Sequence, residues 1–159
     1  MMPGNVARGT TIAQSLRRGL LVLLVLGLLG TAVDLVLLDH YEDVWQLPPL
    51  VLCVVSLLIT LWAGVGGGRT AIRALRIAMV LCIVSGLAGL ALHYNGNREF
   101  QHEIDPALAG WALFLKVVTA KAPPALAPAV MAQLGFLGLL YTYRHPEFDT
   151  SVEPQQEKS

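Results

Sequence analysis

Apolar residues along this chain are gathered into four runs rather than spread evenly. The runs cover residues 20–38, 48–65, 71–94 and 125–143. The first three have the ~17–25 residues that a membrane-spanning helix needs, and the fourth is at the short limit of that range. Prolines stand at the expected first turns of the second and fourth runs, where a missing N–H is tolerated. The pattern predicts an all-α fold, a four-helix transmembrane bundle within residues 20–143.

A shorter apolar stretch, residues 106–121, separates the third and fourth runs. Leu108, Trp111, Leu115 and Val118 recur there at helical spacing, but the stretch is too short to cross a membrane. Its tryptophan suits the headgroup zone. We therefore predict an additional amphipathic helix that lies along the outer membrane interface, with a re-entrant segment as the alternative.

Composition supports a membrane protein and excludes one class of partner. The chain is 55% hydrophobic with a mean hydropathy of +0.60, above the ~45–50% apolar content of soluble domains. Its net charge is zero and its basic residues form no long patch, so nucleic acid is not an expected partner. Residues 1–19 precede the first run. Residues 144–159 have few apolar side chains and are predicted to be a disordered tail.

The basic residues orient the predicted bundle. Eight lie on the side of the two termini and three on the other side. The eight are Arg8, Arg17, Arg18, Arg69, Arg73, Arg76, Arg144 and Lys158. The positive-inside rule then places both termini in the cytoplasm. A cleaved signal peptide is the alternative for residues 1–38, but the first run is longer than a signal core of ~7–15 residues and has a poor cleavage site.

Small residues mark the predicted helix contacts. Apolar side chains gain little by leaving lipid, so close approach through small residues must contribute to packing. The candidate packing positions are Gly27, Gly30, Ser85, Gly86, Gly89, Gly135 and Gly138. We expect contacts within one bundle, with homodimer contacts as the alternative.

Two polar side chains and the two cysteines, all inside the runs, need a separate interpretation. Gln133 is expected to face another helix and to form a hydrogen bond there, or to line a path. Asp34 is an intramembrane carboxylate, which is a functional-site hypothesis by default; a local capping role near the outer end is the alternative. Cys53 and Cys82 are interpreted as buried apolar residues, at depths that differ by roughly 10 Å, which is too far for a disulfide.

The predicted outer side collects three of the four histidines and six carboxylates. Imidazole with carboxylate suits zinc, copper or iron, so His40, His93, Glu99 and His102 form a candidate metal site, and the two histidines nearest the helix ends a candidate haem site. The Asn-Gly-Asn turn signal at 95–97 predicts that the third helix stops just after His93. Against a metal or haem cofactor, the chain has no HExxH, no CxxC and no histidine pair at i, i+4, and outer loops are polar in any case.

On the cytoplasmic side, Arg69, Arg73 and Arg76 are expected to contact anionic headgroups. The preceding "GVGGGR" at residues 64–69 lacks the Walker spacing and is interpreted as a flexible turn. Serines in the runs show no nucleophile elbow. No catalytic residue is predicted, and a non-enzyme is favoured.

Three stretches carry a resemblance to a known group. They read "HYEDVWQLPP", "GLAGLALHYNGNREF" and "APAVMAQLGFLGLLYTYRHP". In these, and in their order, the chain resembles a group of small four-span bacterial membrane proteins of uncharacterised activity, over roughly residues 20–146. The resemblance implies a bacterial inner-membrane location and transfers no catalytic residue.

These observations lead to three functional hypotheses. The first is a non-enzymatic accessory or scaffold component of an envelope complex, with a membrane-protein partner or a homo-oligomer. The second is an extracytoplasmic metal- or haem-dependent redox protein. The third is a small transporter or channel subunit in which Asp34 and Gln133 face a shared cavity.

Overall fold

The computed structural model describes residues 3–121 and 124–148, with side chains from residue 12 onward. Its elements in chain order are α1 (Pro3–Leu37), α2 (Leu47–Gly64), α3 (Gly68–Ile104), α4 (Gly110–Val118) and α5 (Ala129–Thr142), followed by a 3₁₀ turn at Pro146–Phe148. The regular structure of these residues is helical throughout, with no strand among them. The all-α prediction is confirmed.

Three helices are long and apolar enough to cross a membrane: Ile12–Leu37 of α1, the whole of α2 and the whole of α3. The bounds of α2 lie within one residue of the predicted run, and its prolines stand in the first turn. Large apolar side chains cover the outside of these helices as well as the inside. On α1, Leu23 and Leu26 are 58% and 60% exposed, whereas Leu24 and Leu28 are fully buried. A helix that is apolar on all sides suits lipid rather than water.

The fourth apolar run forms a shorter helix than predicted. α5 has 14 residues and begins at Ala129, not at residue 125. At ~1.5 Å per residue it is about 21 Å long, less than the ~30 Å hydrocarbon core. Pro128 explains the late start, because it has no N–H to donate to the carbonyl of Pro124 in a regular α-helical bond. Residues 124–128 instead form successive i→i+3 turns, with the N–H of Ala127 donating to Pro124 and that of Ala129 to Leu126.

Four helices close into a ring. α1 contacts α2 and α5, and α3 contacts the same two helices. An added Cβ on Gly27 of α1 would meet Leu134 of α5, and one on Gly138 of α5 would meet Leu24 of α1. The residue with the higher number on α1 pairs with the residue of lower number on α5, so the two helices run antiparallel.

The two ends of the ring differ in chemistry. We call one the arginine end; it carries Arg17 of α1 and Arg69 of α3, which donate side-chain hydrogen bonds to backbone carbonyls of residues 143–148. We call the other the histidine end; it carries His40 and His93. α4 packs on the part of α3 that extends from this end.

Glycines bring α3 and α5 into backbone contact. A Cβ on Gly86 would lie 2.6 Å from the backbone nitrogen of Ala132, and one on Gly135 would lie 2.6 Å from the carbonyl oxygen of Met79. These distances exclude any side chain without movement of a helix. The α3–α5 contact therefore depends on these two glycines.

The other candidate packing positions differ in whether they contact another helix. Gly89 faces Pro128 of the turn before α5, and Ser85 approaches Met131, with Oγ 4.0 Å from Sδ. Gly30 is different: it is exposed, and nothing lies within 4 Å of an added Cβ. Among the described residues, no other helix packs against Gly30, so the predicted contact at this position is not made within them.

The histidine end departs from the predicted turn. α3 continues through Asn95, Gly96 and Asn97 to Ile104, and Asn97 is only 3% exposed. The turn signal is outweighed by tertiary packing, since Asn97 is buried and the neighbouring Tyr94 contacts Phe114 of α4. The prediction that the third helix stops at residue 94 is wrong.

α4 is also shorter than the predicted 106–121 helix, and it buries a different stripe. Leu113 and Val117 are buried in the contact with α3, while Trp111 is 69% exposed. The ring of Phe114 stacks on Trp111 at 4.9 Å and tilts against Tyr94 at 6.3 Å between centroids. The helix therefore has an inner apolar stripe for α3 and an aromatic stripe that remains exposed.

Replacing Gly135 with alanine is expected to destabilise the protein by about 1–3 kcal/mol, because the added methyl group overpacks the α3–α5 contact. The matched control is Gly96→Ala, in an exposed part of α3 with open space around it, which is expected to stabilise by about 0.5–1 kcal/mol. Unfolding in mixed micelles with increasing SDS, followed by far-UV circular dichroism, measures both. Equal midpoints for the two variants would contradict the packing role.

Candidate functional site

His40 and His93 lie near each other at the histidine end. The ring of His93 has Nδ1 3.0 Å from the carbonyl oxygen of Pro124, to which only a protonated Nδ1 can donate. His40 is partly buried, and its pKa is lowered first by burial and second by the nearby charge of His93. His40, just beyond the end of α1, and His93, within α3, are thus near enough for their charges to interact.

Glu99 and His102 do not join them. Because α3 is continuous, Glu99 lies about 9 Å and His102 about 13.5 Å along the axis from His93, and His102 points to the opposite side of the helix, about 180° away. Residues 3–121 and 124–148 contain no group of three or more His, Cys, Asp or Glu side chains that could hold a metal. Within the described residues, the four predicted ligands therefore do not come together as one group.

The carboxylates of the α1–α2 connection are used locally. Asp39 has a positive φ of 52° and accepts a hydrogen bond from the Tyr41 hydroxyl at 2.8 Å. Asp43 accepts the backbone N–H of Trp45 at 3.1 Å. These are turn-forming contacts. They shape the connection and leave these acids turned toward their own loop.

The two cysteines are closer in depth than predicted. Cys53 and Cys82 are both free and buried. The hydroxyl of Ser56 lies 3.3 Å from the sulfur of Cys82. Since Ser56 is one turn from Cys53, the depths differ by about 5 Å rather than 10 Å. The α2–α3 contact thus has a small polar centre, completed by Thr60, which donates to the Ser56 carbonyl at 2.7 Å.

Gln133 points outward, in contrast to its predicted inward position. Its side chain is exposed on α5 and forms no hydrogen bond with residues 12–121 or 124–148. The reason is angular: Leu134 faces α1 and Gly135 faces α3, so the residue before Leu134 turns about 100° the other way, out of the ring. Asp34 of α1 is also exposed.

These two polar groups share one outer face. Viewed down the axis of α1, Asp34 lies about 20° and Gly30 about 60° from the direction of Gly27, which contacts α5. Both residues lie on the side of α1 away from α2. On α5, Gln133 lies on the side away from α3. We define the α1–α5 face as the exposed residues that flank this helix pair. They are Leu23, Gly30, Asp34, Val130 and Gln133.

The depth of Gln133 follows from the helix contacts. Leu134 is level with Gly27, so Gln133 is level with Leu28, near the middle of the apolar run 20–38. Asp34 is six residues farther along α1, about 9 Å nearer the histidine end. The α1–α5 face thus has an amide at its centre and a carboxylate toward one rim.

Arginines close the opposite end of α5. The last carbonyls of a helix lack partners within the helix. Arg76 donates to the Thr142 carbonyl at 2.7 Å, and Arg17 donates to those of Tyr143 and Arg144 at 3.2 and 2.6 Å. Positive charge is also favoured at the negative end of the helix dipole. Guanidinium groups from α1 and α3 therefore hold the end of α5.

Phe148 collects the three arginines that were predicted to contact headgroups. The guanidinium carbons of Arg76, Arg69 and Arg73 lie 4.4, 5.6 and 5.9 Å from the centre of its ring. Arg69 also donates to the Glu147 carbonyl at 3.0 Å. Residues 144–148, predicted as the start of a disordered tail, are thus held in place; residues 149–159 lie outside the described part. Sequence reasoning missed Phe148, although it is the single aromatic residue in that tail.

Comparison with protein-family models, with curated proteins and with solved structures finds no match to this chain.

His145 is expected to make the attachment of residues 143–148 sensitive to pH. Burial is the largest cause that lowers its pKa, followed by the charge of Arg17; Glu147 opposes and Arg76 adds to the effect. The released segment has the ordinary value of ~6.5, so it takes up a proton first. Attachment is therefore complete above that pH and is lost as the pH falls below it. Protonation also removes the Nδ1 acceptor of the Glu147 N–H.

Hydrogen exchange of residues 143–148 at pH 7.5 and 5, corrected for intrinsic exchange, measures this attachment. Protection should fall at pH 5 in the wild type and stay constant in His145→Gln, which does not titrate. The same loss in both proteins would show that another group is responsible.

Removing the Phe148 ring is expected to lower the free energy of unfolding by about 1–2 kcal/mol, since each exposed cation–π contact contributes about 0.5–1 kcal/mol. Phe148→Ala is compared with Phe100→Ala, whose ring on α3 is 56% exposed. SDS unfolding in mixed micelles measures both. A drop of the same size in the Phe100 variant would contradict the proposed contribution of the arginines.

Proposed function

We propose that this chain is a four-span protein of a bacterial inner membrane, with both termini in the cytoplasm, and that it acts as a non-enzymatic scaffold or accessory subunit. It would bind a membrane partner through the α1–α5 face. The observation that carries this proposal is that Asp34 and Gln133 point out of the ring, toward the surrounding lipid, and share one face.

The wound segment before α5 supports a fourth crossing. Residues 124–128 add about 2 Å each to the ~21 Å of α5, which gives about 31 Å in total. This matches the ~30 Å hydrocarbon core. Four crossings would leave both termini on one side, and the excess of arginine at the arginine end supports a cytoplasmic location for that side. The resemblance to small bacterial four-span proteins is the basis for the inner membrane.

The cost of an unpaired amide supports a partner at the α1–α5 face. A polar group in hydrocarbon without a hydrogen bond costs several kcal/mol. Gln133 lies level with the middle of an apolar run and finds no partner in the ring. A helix from outside that offers a donor or an acceptor at this depth would remove the penalty. The Gln133 amide therefore favours association of the ring with a partner helix.

Photo-crosslinking in intact membranes tests this proposal. A crosslinkable residue at Val130, on the α1–α5 face, is compared with one at Val84, which is exposed on α3 away from this face. We expect a discrete protein adduct from position 130 and none from position 84, because only the first lies beside the polar groups. The adduct should disappear in the Asp34→Leu, Gln133→Leu double variant.

Circular dichroism of the double variant controls for folding. Both substitutions are on the exposed surface, so helix content should be unchanged. Equal adducts from positions 130 and 84, or no protein adduct from either, would contradict the scaffold proposal.

A further inference from the structure

We propose that a second copy of this chain occupies the α1–α5 face, in a parallel two-fold dimer with the two Gln133 side chains hydrogen-bonded to each other. This inference rests on the proposed function and specifies its partner. It starts from the placement of one amide at mid-depth on an exposed helix surface.

The first argument is the chemistry of the amide. A glutamine side chain has both a carbonyl acceptor and an N–H₂ donor. It therefore complements a second glutamine in the opposite orientation with two hydrogen bonds. A lysine, which only donates, or an ionised carboxylate, which only accepts, would not have that property. Gln133 is thus suited to an identical partner.

The second argument is depth. A two-fold axis along the membrane normal puts every residue level with its own counterpart. Gln133 of one protomer then meets Gln133 of the other without any shift of either protomer in the bilayer. Partner helices of another sequence would need a polar group at the level of Leu28. The second copy supplies it by symmetry.

The third argument is the shape of the face. Gly30 is exposed, with open space where a Cβ would be, although its neighbours on α1 are large. Toward the arginine end, Leu16, Gly19 and Leu23 line an apolar groove of about 440 Å³ on the same side of α1. Such notches let the helix of a partner approach closely, which is how membrane helices gain packing energy. The polar centre thus lies beside a surface that can be approached.

Asp34 distinguishes a second copy from a cationic partner. In the two-fold dimer the two Asp34 carboxylates lie on the same rim and repel each other, whereas a partner with a lysine or arginine would attract them. Asp34→Asn is therefore expected to leave the dimer unchanged or to tighten it. The same substitution would weaken a complex held by an ion pair.

Self-association in liposomes measures the dimer. Full-length protein labelled with donor and acceptor dyes at the amino terminus is diluted with lipid, and energy transfer gives an apparent dissociation constant in mole fraction. We expect transfer that falls on dilution, a roughly tenfold weaker dimer for Gln133→Leu, and near-wild-type association for Gln133→Asn, which keeps the amide. Val84→Leu, on the α3 surface, should have no effect.

Several results would overturn the dimer. They are a wild type that stays monomeric at high density, a Gln133→Leu variant that associates like the wild type, or weakening by Asp34→Asn. The adduct from position 130 separates this failure from that of the proposed function. A mass of two chains supports the dimer; a mass that includes a different protein rejects the dimer and retains the scaffold.

Discussion

The contact between α3 and α5 is the constraint on which the other features depend. Gly86 and Gly135 let the two backbones meet at distances that no side chain would permit. This contact sets the rotation of α5 about its own axis. Once Gly135 faces α3 and Leu134 faces α1, Gln133 has no direction left except outward. The exposed amide is thus a consequence of helix packing, and any helix pair that kept the glycines inside would display it.

The same contact explains the arrangement at the arginine end. Because α5 packs against α3 along its length, its last carbonyls lie beside Arg76 of α3. Arg17 of α1 reaches the same end of α5. Each guanidinium then satisfies backbone groups that a helix end leaves open. The ring of Phe148 adds cation–π contacts with Arg69 and Arg76. Hydrogen bonds and ring contacts thus keep the guanidinium groups of Arg69, Arg73 and Arg76 close together, although their charges repel.

Sequence reasoning captured what hydrophobicity alone determines. The all-α class and the bounds of α2 follow from run length and from prolines whose effect is local. It failed where tertiary packing outweighed a local signal: residues 95–97 are helical, with Asn97 buried and Tyr94 in contact with Phe114 of α4. It also failed for Gln133, since the rule that polar residues face inward assumes that the chain supplies its own partner. The predicted grouping of Glu99 and His102 with His93 depended on an early end of α3, and the continuous helix separates them along its axis.

The hydrogen bonds of Arg17 join residues that are 126 and 127 positions apart in the chain. Arg17 is therefore synthesised 126 residues before Tyr143. Its guanidinium stays without the carbonyls at the end of α5 while the intervening helices are made, and the glycine surface of α3 stays uncovered until α5 follows. The ring closes only once α5 has been made.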